Sequence, residues 1–172
     1  MTFISQTVLA EAIVVVNQMD IAERLLLADE IFAQQPNLLA SVLVLQRMGL
    51  SLQQLDIPIY ILLVAYQSMK ASGHYWPVIS EDIQESCLQR LTGKIHFTEG
   101  LSPPLFQQAV DQQINEHGER YLLSFVYGYL GENDLLAIKT EAEKYLLLAL
   151  LNLVDCIAIT ASHALATQAE KQ

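Results

Sequence analysis

Four histidines stand alone in this chain of 172 residues, at positions 74, 96, 117 and 163. A helix that binds metal presents Glu-x-x-His or His-x-x-x-His on one face. Neither spacing occurs in the sequence, so no metal and no cofactor is expected. The densest polar run is Glu116-His117-Gly118-Glu119-Arg120, with Asp111 shortly before it. It reads as a charged turn in water, because exposed clusters of this kind seldom bind anything. There is no G-x-S-x-G elbow and no glycine-rich phosphate loop, which removes the usual signatures of nucleophilic and nucleotide chemistry. Cys87 and Cys156 sit among apolar neighbours in helical patterns. Such surroundings raise a thiol pKa and make a cysteine a small core residue. The balance is against an enzyme.

Three groups of residues are candidates for contact with a ligand or partner. The first is His74-Tyr75-Trp76, which holds the only tryptophan and lies between Gly73 and Pro77. Binding residues concentrate on loops, and Trp and Tyr are favoured at interfaces; against this, Trp76 is equally suited to plugging one end of a bundle. The second is the aromatic helix with Tyr121, Phe125, Tyr127 and Tyr129. Core packing is its default role, although tyrosine-rich helices also line pockets. The third is a polar stripe in the last helix. At about 100° per residue Tyr145, Asn152, Asp155 and His163 fall on one side, together with Glu141. The stripe reads as the narrow wet face of an otherwise apolar helix. Asp155 and His163 are two turns apart, too far for contact within one helix.

Periodicity and punctuation predict helices throughout and no strand ladder. The first helix covers about Ile4 to Asn17. The second is capped by Asp20 with Glu23 in a capping box, has Leu25, Leu26, Ala28 and Phe32 as its inner face, and stops at Gln35 before Pro36. Asn37 is expected to cap the third, which stops at Gly49. Ser51 and Gln54 form a second box over a short turn, with Leu50 and Leu55 placed as a staple, and a fresh helix begins beside Pro58 and ends near Lys70. Ser80 caps a fifth helix with Ile83, Cys87, Leu88 and Leu91 inward and Gly93 as its end. Ile95-His96-Phe97 is expected to be loop or extended. Ser102 and Pro103 open a sixth helix facing inward with Leu105, Phe106, Ala109, Val110 and Ile114. A seventh runs from Glu119 to Leu130, closed by Gly131. The last begins at Asn133 or Asp134, breaks near Lys139 where Thr140 and Glu143 make another box, and runs to about Ala166, leaving Thr167–Gln172 as a frayed tail.

The fold class is therefore all-α: one domain over residues 1–172, a bundle of seven or eight helices with a charge-poor central hairpin and a long apolar last helix. From Leu38 to Tyr66 the only charged residues are Arg47 and Asp56, and from Tyr145 to Ala161 only Asp155. Helices that are apolar all round are buried on every side or pressed against a partner or a membrane. Hydrophobic residues make up 52% of the chain and charged ones 16%, against about 25% charged in ordinary domains. The net charge of −10, with cations scattered singly, excludes the basic footprint of nucleic-acid binding and of anionic membrane surfaces. Asn152 and Asp155 argue against a transmembrane role for the last helix. The start of the chain lacks a basic signal-peptide region, and two unpaired cysteines fit a reducing cytoplasm.

Two functions follow as expectations. The first is a non-enzymatic interaction or regulatory protein, an adaptor or chaperone-like subunit, that forms a homodimer or meets another helical protein through apolar faces including Leu146 to Ile159. The alternative is a small-molecule-binding or catalytic domain. Its pocket would be lined by Tyr121, Phe125 and Tyr129, with His74, Tyr75 and Trp76 at the mouth.

Overall fold

A computed structural model describes residues 2–171, less the side chains of Phe97 and Thr98. It is all-helical, with eight α-helices: α1 (Gln6–Gln18), α2 (Ile21–Gln34), α3 (Pro36–Leu43), α4 (Leu52–Ala71), α5 (Glu81–Thr98), α6 (Pro103–Glu116), α7 (Arg120–Glu132) and α8 (Glu141–Ala169), with a single 3₁₀ turn at Val44–Gln46 after α3. The capping boxes at Asp20/Glu23, Ser51/Gln54 and Thr140/Glu143 all form. Each satisfies two amides that a helix start leaves without partners.

α4 and α8 are the central helices, wrapped by the others. α1 packs along α4, and α5 packs along α8. Ile61, Leu62 and Val64 of α4 meet one core together with Leu122, Val126 and Leu130 of α7 and Leu146, Leu150 and Val154 of α8, all essentially without exposure. α8 is long and apolar enough to cross a bilayer by length and composition, but most of its apolar window is inside this core. Most of the stretch Leu146 to Ile159, where a self-association surface is expected, is thus covered by the chain itself, with Leu148, Ala149, Asp155, Ala158 and Ile159 half-buried. Burial inside one chain accounts for an apolar helix as well as a partner would.

Several boundaries differ from expectation. Pro36 is the first residue of α3 and Gln35 its cap; Asn37 lies inside the helix, where its amide donates to the Ile79 carbonyl (2.9 Å). Pro58 does not start a helix, because α4 runs unbroken from Leu52. A proline in a helix interior removes one hydrogen bond at a cost of about 3 kcal/mol, and a helix buried on nearly every side offsets that. α5 continues through Gly93, so Ile95, His96 and Phe97 are helical. Gly93 costs only about 1 kcal/mol relative to alanine there. The turn that needs glycine is Gly100, at φ +83°. α7 likewise passes Gly131 to end at Glu132 with Asn133 as its cap, and residue Asp134, at φ +55°, turns the chain. Residues 133–139 are not helical, so α8 starts after Thr140, and its helix extends to Ala169, past the end expected near Ala166. Gln172 of the expected tail lies outside the described residues.

The largest correction concerns which way α2 faces. Its buried residues are Leu27 (5% exposed) and Ile31 (0%), whereas Leu25 (61%), Leu26 (68%) and Phe32 (68%) point outward with Ile21 (80%). Of the expected inner face only Ala28 is half-buried. Leu88 and Leu105 are also exposed, where an inward position was expected.

Candidate functional site

Two places carry the candidate residues. The first is polar and lies where the α6–α7 junction meets α8. His117 caps the end of α6, and its Nδ1 accepts the backbone N–H of Glu119 (2.9 Å). With Nδ1 an acceptor, the neutral ring carries its proton on Nε2. That nitrogen donates to Asp155 Oδ1 of α8 (2.7 Å). The His117 and Asp155 side chains are 12% and 15% exposed. The expected charged turn in water is therefore a half-buried pair, and Asp155 is not part of a wet face. Asn152 is buried as well; its Nδ2 donates to the Gln84 carbonyl of α5 (3.1 Å), tying the two helices together. At the two ends of the stripe Glu141 and His163 are exposed, and Tyr145 is half-buried.

Beside the pair, Glu119 is fully buried, and its carboxylate accepts the Phe3 N–H (2.8 Å) and the Ile4 N–H (3.1 Å). It pins the start of the chain to the start of α7. Burial holds its pKa above the ordinary glutamate value, against the pull of those two amides and of His117. Tyr127 donates to Gln113 Oε1 (2.9 Å), and burial, with Asp155 nearby, pushes its phenol up to about 12. An Asp–His pair resembles a general base held by its carboxylate. Such a base needs a free imidazole nitrogen aimed at substrate. Here both nitrogens are already engaged within the chain, so the arrangement positions helices and has no open valence for proton transfer. Among the described residues no group of three or more His, Cys, Asp or Glu side chains is placed to hold a metal.

The second place is apolar. A groove of about 1130 Å³ lies between α2, α3 and α4, with Asn17 of α1 and Tyr129 of α7 also lining it. Ile21, Leu25, Ala28 and Phe32 form the α2 wall, Leu39 and Leu43 the α3 wall, and Ile57, Ile59 and Tyr60 the α4 side. Arg24 lies at its edge, its guanidinium donating to the Val16 carbonyl (3.2 Å) and standing 5.9 Å from the Tyr60 ring centre. Tyr60 donates to Asn17 Oδ1 (2.7 Å) and packs on Tyr129, with ring centres 4.8 Å apart. Phe125 stacks behind Tyr129 at 6.0 Å. Part of the aromatic helix thus lines this groove, through Tyr129. Tyr121 lies under the Arg120 guanidinium instead, at 4.9 Å.

The structure does not bring the loop residues to that cluster. His74 and Trp76 form a separate ring cluster with Phe3, with His74 edge-on to Phe3 at 5.3 Å. The Trp76 indole N–H donates to the Ile157 carbonyl of α8 (3.2 Å), so Trp76 is half-buried as a plug, while His74 and Tyr75 are exposed. His74 and Tyr75 line a cavity of about 250 Å³ with Phe3 and with Ala161, Ala164 and Leu165 of α8, whereas Tyr129 lines the groove beside α2. What sequence reasoning missed is the pairing of His117 with Asp155 and the burial of Glu119. Their partners lie far along the chain, and no local spacing marks them.

Fold and site define an all-helical chain with an internally satisfied polar pair and an open apolar groove. Comparison with known protein families, with curated proteins and with solved structures finds no match.

Proposed function

We propose that this chain is a non-enzymatic helical interaction protein, adaptor or chaperone-like in kind, that associates with another helical surface through the outward face of α2. The observation that carries the reading is the exposure of Ile21, Leu25 and Phe32, which form the α2 wall of a groove whose α3 and α4 sides are also mostly apolar. Contiguous exposed apolar surface of this kind marks interaction sites, and a groove between helices is a standard seat for an amphipathic helix. The engaged nitrogens of His117 support the non-enzymatic part. A cytoplasmic setting fits two free, buried cysteines.

The test uses the environment-sensitive dye anilinonaphthalene sulfonate. The native protein should enhance its emission, and the double substitution Leu25→Glu/Phe32→Glu should abolish the enhancement while leaving the melting temperature within a few degrees. No enhancement, or enhancement unchanged in the variant, contradicts the reading.

One observation favours a second reading, a small-molecule binder. An apolar cavity of about 370 Å³ lies between α5, α6, α7 and α8, with Leu91, Phe106, Val110 and Leu151 in its wall and Lys94 and Lys144 also lining it. Its size is within the usual range for ligand sites. A native mass spectrum of purified protein with a reproducible added organic mass would favour this reading.

A further inference from the structure

Resting on the α2 docking reading, we infer that the occupant of the groove is a cationic amphipathic helix, and not a second copy of this chain. The groove is lined mostly by apolar side chains, with Asp29, Asp56 and Arg24 as its charged members. Asp29 of α2 and Asp56 of α4 both line it and are exposed. Neither has an ion pair or a side-chain hydrogen bond among the described residues. The one cation at the groove, Arg24, is already held by the Val16 carbonyl and the Tyr60 ring. The lining therefore carries two carboxylates that have no ion pair among the described residues against one guanidinium, an excess of one negative charge.

A second copy would bring the same two carboxylates to the interface, on a body that also carries a net charge of −10. Like charges set against each other cost affinity and slow encounter. A helix with an apolar stripe flanked by lysine or arginine meets both parts of the lining. Its stripe covers the apolar side chains, and its flanking cations reach Asp29 and Asp56. α2 has 14 residues, which sets a length of about 20 Å and so an occupant of three to four turns. Such a helix reads the groove through apolar residues at i, i+3, i+4 and i+7.

The probe is a fluorescein-labelled peptide of the length of α2, with leucine at that spacing and lysine elsewhere, titrated at physiological salt and read by anisotropy. A peptide with glutamate in place of lysine is the control. The lysine peptide should bind and the glutamate peptide should not. Asp29→Asn/Asp56→Asn should weaken binding about five- to tenfold, the effect expected of two surface ion pairs. Glu81→Gln/Glu85→Gln, which removes two exposed carboxylates from α5, should change it less than twofold. Equal loss in the two variants would mean that the peptide senses only net charge, and overturns the inference. Binding of neither peptide, with dye binding intact, overturns the inference and leaves the docking reading standing. So does a concentration-dependent dimer in sedimentation velocity that Leu25→Glu/Phe32→Glu dissolves, because the second copy is then the occupant. Absence of both dye and peptide binding removes the docking reading itself.

Discussion

Substituting Asp155 by alanine tests the claim that the His117–Asp155 pair is structural. The substitution removes the acceptor of the Nε2–H, 2.7 Å away, and leaves a donor that is only 12% exposed. An orphaned buried donor costs about 1–3 kcal/mol. The partial access of water places this site in the lower half of that range, about 1–2 kcal/mol. In a chain of this size each kcal/mol lowers the melting temperature by about 2–4 °C. The expected loss is therefore about 2–8 °C by calorimetry or circular dichroism. Asp155→Asn keeps an oxygen for the same bond and should lose less than half as much. His117→Ala removes that bond and also the acceptor for the Glu119 N–H (2.9 Å), so it should cost more than Asp155→Ala. In a double-mutant cycle the two losses should fall short of additive by at least 0.5 kcal/mol, because both remove the same bond. Strict additivity, or an Asp155→Ala variant as stable as the parent, would refute the reasoning.

Further outcomes follow from the same geometry. Ile31→Ala, at a site without exposure, should cost about 2–5 kcal/mol in denaturant unfolding, whereas Phe32→Ala, two-thirds exposed, should stay within about 0.5 kcal/mol. Glu119 has a raised pKa in the folded chain, first because it is buried. Its favourable contribution is complete below the unfolded value and is lost as pH rises through the folded one. The stability of the parent relative to Glu119→Gln should thus decline as pH climbs above the ordinary glutamate value of 4.5, and a difference that does not vary with pH would contradict this. Cys87 and Cys156 are both buried, and burial first, then the adjacent Cys87 thiol, pushes the Cys156 thiol up. Both should react with Ellman's reagent only after denaturant is added.

The helix inventory was legible because its signals are local. Asp20, Ser51 and Thr140 each carry a Glu or Gln at the third helical position, and each forms the box its spacing announces. The facing of α2 was not legible. Leu25-Leu26-Leu27 offers an apolar side chain in three directions, so periodicity alone does not choose Leu27 and Ile31 over Leu25 and Phe32. The choice is made by α3 and α4, against which α2 packs. Intrinsic propensity disfavours both Pro58 and Gly93 inside a helix; packing over the length of α4, and the absence of any need for positive φ at Gly93, override it. The same holds for the polar residues. Asp155 and Asn152 looked like a wet stripe from their own helix, but their partners are on the α6–α7 junction and on α5.

The outward face of α2 can be measured directly. In a protein with labelled leucine and isoleucine methyl groups, a soluble paramagnetic agent broadens the methyl signals that solvent reaches. The account predicts strong broadening for Ile21, Leu25 and Leu26, and protection for Leu27 and Ile31. Broadening of Leu27 and Ile31 with Leu25 and Leu26 protected would mean that α2 is turned the other way, and the proposed docking surface would not exist.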